Sequence, residues 1–319
     1  MQASRAILLG LSALFAAVAL YFWANPAPLK KAAFSQAMPV DYFAPYEESI
    51  PPALYQVQGP IYAYEHGFTR SLIIVTDGGI AVFDTFDEAH AHDMKAALAE
   101  QFPGNPVRWV VYSHNHLDHL RGSDVFSGAE VIGHTLVNDL VADWPEAGKS
   151  IAPVTRAIEG DTVLQFGPVT VDALYMTFSH SHTLYGFHVR DHDVVFAADM
   201  MFVKAVPPFD FPDFYHPGYI RALDRLIALN AAHYVPSHMD RGTRDDLIAF
   251  RDMMVKVEAT IRGLFLTHGE AIATDGYIMR QSLRDSYDVL AADYGDWHGF
   301  DAMFVPKFGR HWGGAYLGY

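Results

Sequence analysis

The sequence contains no cysteine among its 319 residues. Disulfide bonds and metal sites built from thiolates are therefore both excluded. A cysteine-free protein suits an oxidising or a reducing compartment equally, so this absence leaves its location open. Any metal site must use nitrogen and oxygen ligands, which makes the 17 histidines the residues to follow.

Basic residues are scarce, since 22 Lys and Arg stand against 37 Asp and Glu, for a formal net charge of −15. Nucleic acid is not expected as a partner, because binding to phosphate backbones requires clustered Lys and Arg. The sequence also lacks a Gly-x-Ser-x-Gly elbow and a phosphate-binding glycine-rich loop. These absences remove the usual signals of a serine hydrolase and of a nucleotide-binding enzyme.

One long hydrophobic run occurs at the N-terminus, from Ala6 to Ala24, interrupted only by Gly10 and Ser12. Its length is close to the ~20 residues that a helix needs to cross a bilayer. The run is either a transmembrane anchor or a cleaved signal peptide, and its length favours the anchor. Residues 1–24 are therefore predicted to bind the membrane, and residues 25–52 to form a linker. Either interpretation predicts that the rest is exported, to a periplasmic or other extracytoplasmic location.

From Ala53 onward, strand-like and helix-like segments alternate in both halves of the chain, which predicts an α/β fold. Helices are expected at 89–102, 218–230, 243–266 and 280–292. Short apolar runs that predict strands lie at 61–66, 71–75, 80–84, 107–112, 130–133, 162–166, 169–175, 185–190, 194–197 and 233–235. The aromatic, glycine-rich tail from Trp297 has no clear period.

The strongest chemical signal is the segment Ser-His-Asn-His-Leu-Asp-His at residues 113–119, directly after the strand predicted at 107–112. It provides four ligand-type side chains, those of His114, His116, Asp118 and His119. Imidazole and carboxylate ligands suit zinc, iron or manganese. A chance cluster in a histidine-rich chain would have no reason to follow a buried strand, so the segment predicts a metal site.

This His-x-His-x-Asp-His pattern resembles that of the metallo-β-lactamase superfamily, which takes further ligands from later loops. In Ser-His-Ser-His-Thr, the pair His182-Thr183 matches the family's His-Thr pattern, and His180 is an alternative ligand. Asp199 follows an apolar strand, as the family's bridging Asp does, and His238 matches the last histidine. The resemblance implies a four-layer αββα sandwich over residues 53–319, with a helical and aromatic C-terminal extension from about residue 243.

The resemblance also implies a centre of two metal ions, zinc before iron or manganese. His114, His116 and His182 would bind one ion, Asp118, His119 and His238 the other, and Asp199 would bridge them. The implied enzyme is a hydrolase in which a hydroxide shared by the two ions attacks the substrate. Asp118 would orient this nucleophile or carry a proton. Asp84 ends a predicted strand, where it either hydrogen-bonds a ligand histidine or only caps the strand.

The substrate is expected to be a small molecule with an ester, thioester, lactone or amide-type bond. Phe202 stands where related lactonases often have Tyr, which weakens the lactone interpretation. The Pro-rich, aromatic segment from Met200 to Tyr219 favours an apolar or acylated substrate. Two other functions remain open: an iron-dependent oxidoreductase of the same fold, and a non-catalytic membrane-tethered subunit. Protein partners and oligomeric state cannot be read from the sequence.

Overall fold

The structure, a computed structural model, describes residues 42–145, 148–207, 213–305 and 311. The segment predicted as a membrane anchor or signal peptide, residues 1–24, lies outside the described residues. The described end of the predicted linker carries a short helix, α1, at Ala44–Ser49. Within the described ranges, no helix is both long and apolar enough to cross a membrane. The described residues from Ala44 onward belong to one compact unit.

A seven-stranded sheet contains the first half of this unit, with its strands side by side in chain order. Its first four strands pair antiparallel and its last four pair parallel. The strands are β1 (Ala53–Gln58), β2 (Ile61–His66), β3 (Thr69–Thr76), β4 (Gly79–Phe83), β5 (Val107–Val111), β6 (Glu130–His134) and β7 (Arg156–Ile158). β4 is buried along its whole length, as its continuous apolar sequence predicts.

A five-stranded sheet contains most of the second half. It is antiparallel except at its edge, where the last two strands pair parallel. The strands are β8 (Thr162–Phe166), β9 (Val169–Tyr175), β10 (Tyr185–Val189), β11 (Val194–Ala198) and β12 (His233–Pro236). Because β11 and β12 run parallel, the residues that follow them emerge at the same edge of the sheet.

The two sheets face each other across an aromatic core. The ring of Phe83 on β4 lies 5.9 Å from that of Phe166 on β8, 4.9 Å from that of Phe187 on β10 and 6.2 Å from that of Phe196 on β11. Phe83, Phe166, Phe187 and Phe196 are all fully buried. Edge-to-face ring contacts of this kind add to the hydrophobic stabilisation. They hold the carboxyl ends of β4, β5, β11 and β12 near one another.

Helices pack on the faces of the sheets that point away from this core. The helix α2 (Glu88–Gln101) buries Ala91, Met94 and Leu98 against the seven-stranded sheet. Behind the five-stranded sheet, Tyr234 of β12 donates a hydrogen bond to the carbonyl of Leu226 in the helix at His216–Ala228. The remaining helices are α3 (Leu117–Leu120), α4 (Val137–Ala142), α5 (His216–Ala228), α6 (Arg244–His268), α7 (Ala271–Thr274) and α8 (Gly276–Tyr294). The mixed α/β fold with two sheets agrees with the sequence prediction.

Element boundaries follow local chemistry. The helix α6 begins where Thr243 and Asp246 form a capping box, in which each side chain binds the other residue's backbone N–H. The helix α8 begins earlier than its hydrophobic pattern indicates, because the side chain of Asp275 accepts bonds from the N–H groups of Tyr277 and Ile278. Neither cap changes the location of the ligand-type residues.

Candidate metal centre

Ligand-type side chains from both sheets meet at one edge of the sandwich. His114 and His116 follow β5, and the next turn forms α3, which contains Asp118 and His119. His180 lies on the loop between β9 and β10. Asp199 follows β11 and His238 follows β12. The fold therefore joins a motif that is contiguous in sequence with three residues that are distant from it.

These side chains form two groups of possible metal ligands, within each of which the ligand atoms lie within 4.8 Å of one another. The first group consists of His114, His116, His180 and Asp199. Its closest contacts join His180 Nε2 to His116 Nδ1 at 3.1 Å and to Asp199 Oδ2 at 3.2 Å. His114 Nε2 lies 4.0 Å from Asp199 Oδ2. All four residues are buried except His116, which is partly exposed.

The second group consists of Asp118, His119 and His238. His119 Nε2 and His238 Nε2 lie 3.2 Å apart, and each lies 3.8 Å from Asp118 Oδ2. Both histidines are buried, whereas the Asp118 side chain is 59% exposed. Asp118 therefore stands at the open side of this group, where a substrate can reach it.

Asp199 faces both groups at once. Its Oδ2 atom is turned to the first group, while its Oδ1 atom lies 3.1 Å from His119 Nε2 and 3.2 Å from His238 Nε2. The structure thus places Asp199 between the two groups, in the position that the sequence pattern predicted for a bridging carboxylate.

His182 is not brought to the centre, contrary to the ligand prediction. Its side chain is exposed, and its ring packs edge-on against Phe178 at 4.8 Å. The backbone bends and turns from Phe178 to Thr183, so the residues two apart do not share one side as they would in a strand. The Thr183 hydroxyl donates to Asn115 Oδ1 at 2.7 Å and fixes the end of this turn. His180, the alternative ligand, occupies the place that the pattern assigned to His182.

Asp84 orients two of the histidines through its buried carboxylate. Its Oδ2 atom lies 2.9 Å from His119 Nδ1 and accepts a 2.7 Å bond from the Ser113 hydroxyl. The same hydroxyl lies 2.9 Å from His114 Nδ1. Because its one proton is donated to Asp84, the hydroxyl accepts from the Nδ1–H of His114. The Nε2 lone pairs of both histidines are therefore free to face the centre.

Asp213 has the same role for His116, the second histidine of the motif. Its Oδ1 atom lies 3.3 Å from His116 Nε2, which leaves His116 Nδ1 to face His180. Carboxylates commonly orient ligand histidines in this way and raise their basicity. Burial raises the pKa of Asp213, but its hydrogen bond and charge interaction with His116 lower it further, so the net pKa is below the usual value.

His238 is held differently, by rings and by its backbone. The rings of Phe68 and Phe202 lie nearly parallel to its imidazole, at 5.7 Å and 6.3 Å. Phe86 contacts it edge-on at 5.7 Å and also contacts His119 at 5.1 Å. His238 Nδ1 is buried and has no hydrogen-bond partner among the described residues. Aromatic side chains therefore form the wall of the second group.

Three residues with left-handed backbone surround the ligands. Asp84 has φ of 59°, Ala198 before the bridging Asp199 has φ of 45°, and Met239 after His238 has φ of 61°. A residue other than glycine adopts this conformation at a cost of about 1–3 kcal/mol, and such residues concentrate at functional sites. Backbone bonds hold them in place, for example from Met239 N–H to the Phe68 carbonyl at 2.8 Å.

The charges of the site favour a cation. Burial lowers the pKa of His119, but the carboxylates of Asp199, Asp118 and Asp84 outweigh burial and hold the pKa well above its usual value. Burial raises the pKa of Asp199, but His119 and His238 outweigh burial and hold the pKa well below its usual value. Asp199 is therefore ionised, and its negative potential covers both groups.

The donor atoms fit a metal ion. His114 Nε2 is buried and forms no hydrogen bond within the described part of the chain, although it can accept one. Such unpaired buried acceptors are costly unless a cation binds them. With several imidazole nitrogens and carboxylate oxygens converging, the donor set is the one used by zinc, iron and manganese. The His and Asp cluster is a metal-binding cluster.

Three polar residues near the metal centre were not predicted from the sequence, namely Asp213, Arg70 and His90. Asp213 lies in a loop 14 residues after Asp199, and nothing in its local pattern indicates a contact with His116. Arg70 and His90 are buried polar residues of β3 and α2. Arg70 lies beside the polar Thr69 and Ser71 but in the same strand as the apolar run at residues 72–75, and a charged residue in a mostly buried strand is the kind of signal that could have identified it.

The chain is similar to two subunits of one enzyme from Nocardioides sp. (strain JS1661). It is 28% identical to 2,4-dinitroanisole O-demethylase subunit alpha over 198 residues, which cover 60% of this chain and 59% of that subunit. It is 26% identical to subunit beta over 244 residues, which cover 74% of this chain and 73% of that subunit. The match to subunit alpha thus spans less than two thirds of that relative.

Solved structures share the fold. A metallo-beta-lactamase from Pontibacter korlensis superposes with a TM-score of 0.56 at 18% identity, covering 64% of this chain and 99% of that one. A metallo-beta-lactamase from Hirschia baltica superposes with a TM-score of 0.54 at 16% identity, covering 64% and 98%. The sequence model of the metallo-beta-lactamase superfamily matches residues 65–238, more than half of the chain and every residue of both ligand groups. The chain belongs to the metallo-beta-lactamase superfamily.

Proposed function

We propose that this protein is a hydrolase that binds two zinc ions and cleaves an ester, thioester, lactone or amide-type bond of a small molecule. The observation that carries the proposal is the position of Asp199. One carboxylate with its two oxygens turned to two separate groups of nitrogen ligands suits a pair of ions better than a single ion. Zinc is preferred because imidazole and carboxylate are its usual ligands in catalytic sites.

Bound divalent ions would polarise the scissile bond and lower the pKa of a coordinated water to ~7. The side chains of this chain prepare the rest of the reaction. Asp118 is exposed beside His119 and His238, so its carboxylate can orient the attacking water and accept its proton. Asp84 and Asp213 keep His119 and His116 turned to the centre.

The walls of the site favour a substrate with an apolar or acyl part. Phe68 is partly exposed, Phe202 and Phe86 are buried beside His238, and Phe178 is 55% exposed on the loop that contains His180. The rings of Phe68, Phe202 and Phe86 exclude water on the side of the second group, where electrostatic interactions are consequently stronger. The net charge of −15 opposes polyanionic substrates such as nucleic acids.

The decisive experiment compares His180→Ala with His182→Ala. Both proteins are purified without added metal, and their metal content is determined by elemental analysis. Hydrolysis is assayed with a chromogenic β-lactam, lactones, thioesters, esters and an aryl methyl ether. We expect about two zinc ions per wild-type chain, and a loss of both metal and activity in His180→Ala. His182→Ala is the matched control and retains both, because its side chain is exposed beside Phe178.

Other outcomes would change the proposal. Iron in place of zinc, with no hydrolysis of any compound, favours an iron-dependent oxidoreductase of the same fold. Wild-type protein without bound metal contradicts the proposed enzyme altogether. A loss of metal in His182→Ala but not in His180→Ala contradicts the assignment of ligands to the two groups.

The names of the relatives favour a second candidate, the cleavage of an activated aryl methyl ether. Hydrolysis of such an ether adds one water and yields a phenol and methanol, with no change of oxidation state, so the proposed centre needs no further reactant. Methanol as the product of 2,4-dinitroanisole would support this candidate, whereas formaldehyde would indicate oxidation. Because those relatives are named as subunits, we also propose that this chain works with a partner chain.

A further inference from the structure

The buried side chain of Arg70 binds the backbone on both sides of His238. Arg70 is 1% exposed. Its Nη1 donates to the Pro236 carbonyl at 3.1 Å, and its Nη2 donates to the Met239 carbonyl at 2.8 Å. Its backbone N–H donates to the Ser237 carbonyl at 2.7 Å. One residue of the seven-stranded sheet thereby fixes the loop of the five-stranded sheet that contains a ligand.

Glu65 holds the guanidinium in this position. Its Oε2 atom accepts bonds from Arg70 Nε at 3.1 Å and from Arg70 Nη2 at 3.0 Å. Glu65 is 5% exposed and also accepts bonds from Arg241. Burial raises the pKa of Glu65, but both arginines outweigh burial, and the net pKa is below its usual value. A charged pair this deep in a protein costs free energy to desolvate, so its presence is weak evidence for a stabilising role.

The imidazole of His238 lacks the side-chain support that His119 and His116 have. Asp84 binds His119 and Asp213 binds His116, but His238 Nδ1 has no hydrogen-bond partner among the described residues. Phe68 and Phe202 lie nearly parallel to the imidazole and offer it no hydrogen bond. Its placement therefore depends on the backbone of residues 236–239, which is the backbone that Arg70 binds.

We infer that Arg70 is a positioning residue for His238 and sets the metal affinity of the second group. This inference rests on the proposed function only in assuming that both groups bind ions. Among the described residues, Arg70 forms no hydrogen bond with a ligand side chain. It acts through the carbonyls of Pro236, Ser237 and Met239.

The test measures zinc binding rather than activity. Metal-free Arg70→Met, Arg70→Lys, Arg241→Met and wild-type proteins are titrated with Zn²⁺ in competition with a chromogenic chelator. The affinity of the second group should fall about 10–100-fold in Arg70→Met, as it does when other residues that orient a ligand are removed. The first group should be unchanged. His238→Ala identifies which binding step belongs to the second group.

Arg241→Met is the matched control, because Arg241 also binds Glu65 but stacks on Tyr55 and donates no bond to residues 236–239 in the described structure. It should leave both affinities unchanged. If Arg70→Met does not fold, Arg70→Lys keeps the charge and should show an intermediate loss confined to the second group. Equal loss in both groups, or unchanged affinity in a folded Arg70 variant, would overturn the inference. Wild-type protein that binds two ions without hydrolysing any substrate would overturn the proposed function and leave the role of Arg70 intact.

Discussion

The two ligand groups differ in how their histidines are held. In the first group, the rings of His114 and His116 are fixed by the hydrogen bonds that they donate to Ser113 and Asp213. In the second group, Asp84 fixes His119, whereas His238 depends on aromatic rings and on a clamped backbone. Hydrogen bonds define both the direction and the tautomer of a ligand, but stacking defines only its plane. The two groups should therefore respond to different substitutions.

The largest effect on zinc affinity is expected from substitution of Asp199, because this residue faces both groups. Asp199→Ala removes the carboxylate that faces both groups and also its attraction for cations. We expect both zinc affinities to fall, and hydrolysis to fall by more than the 10–100-fold typical of residues that only orient ligands. The measurement is a zinc titration with a rate assay on the same sample. Loss confined to one group would show that Asp199 does not serve both.

Two single substitutions should distinguish the groups, each with an intermediate effect on zinc affinity. Asp213→Asn weakens the acceptor for His116, and Asp84→Asn weakens the acceptor for His119. Asp213→Asn should lower zinc affinity about 10–100-fold in the first group alone, whereas Asp84→Asn should lower it in the second group and, through Ser113 and His114, in the first group as well. Asn keeps the size of Asp and tolerates the left-handed backbone of Asp84. Stepwise titration of both variants checks this, and identical profiles would mean that the groups bind as one unit.

The last prediction concerns the effect of acid on the free energy of unfolding, through His90, which lies behind the second group. His90 contacts Phe86, which packs on His119 and His238. Burial lowers the pKa of His90 to about 3 from a model-compound value of 6.5. A neutral folded histidine contributes stability that is complete above pH ~6.5 and is lost as the pH falls toward ~3. Between pH 7 and pH 5 the free energy of unfolding should fall by about 2 kcal/mol from this residue.

His90→Gln tests this contribution. Urea unfolding of the metal-free proteins at both pH values should show about 2 kcal/mol less pH dependence in the variant. The other histidines are common to both proteins, so their contribution cancels in the difference. An equal pH dependence would mean that the pKa of His90 is the same in the folded and unfolded states, so that burial does not lower it.

Much of the site could be predicted because its central motif is local. His114, His116, Asp118 and His119 lie within six residues, so their proximity needs no knowledge of the tertiary fold. Asp199 and His238 were predicted from the resemblance to the metallo-β-lactamase superfamily, and the parallel pairing of β11 and β12 brings the two strand ends that precede them together. The strands and long helices followed from their hydrophobic patterns.

The remaining features depend on tertiary contacts. The choice between His180 and His182 is decided by a turn whose geometry comes from the bond between Thr183 and Asn115. Asp213 acquires its role only where its loop meets His116. Arg70 is tied to residues more than 160 positions away in sequence. No local pattern contains information over such a distance.

The ligands come from both sheets, and this has a consequence for the folding of the protein. His114, His116 and His119 follow a strand of the first sheet, whereas His180, Asp199 and His238 follow strands of the second. An ion bound in either group is thus a crosslink between the two halves of the sandwich. Because the unfolded chain cannot offer this geometry, the binding free energy of the ion adds to the stability of the folded state. The concentration of available metal ions would then affect the stability of the folded protein as well as the reaction at the centre.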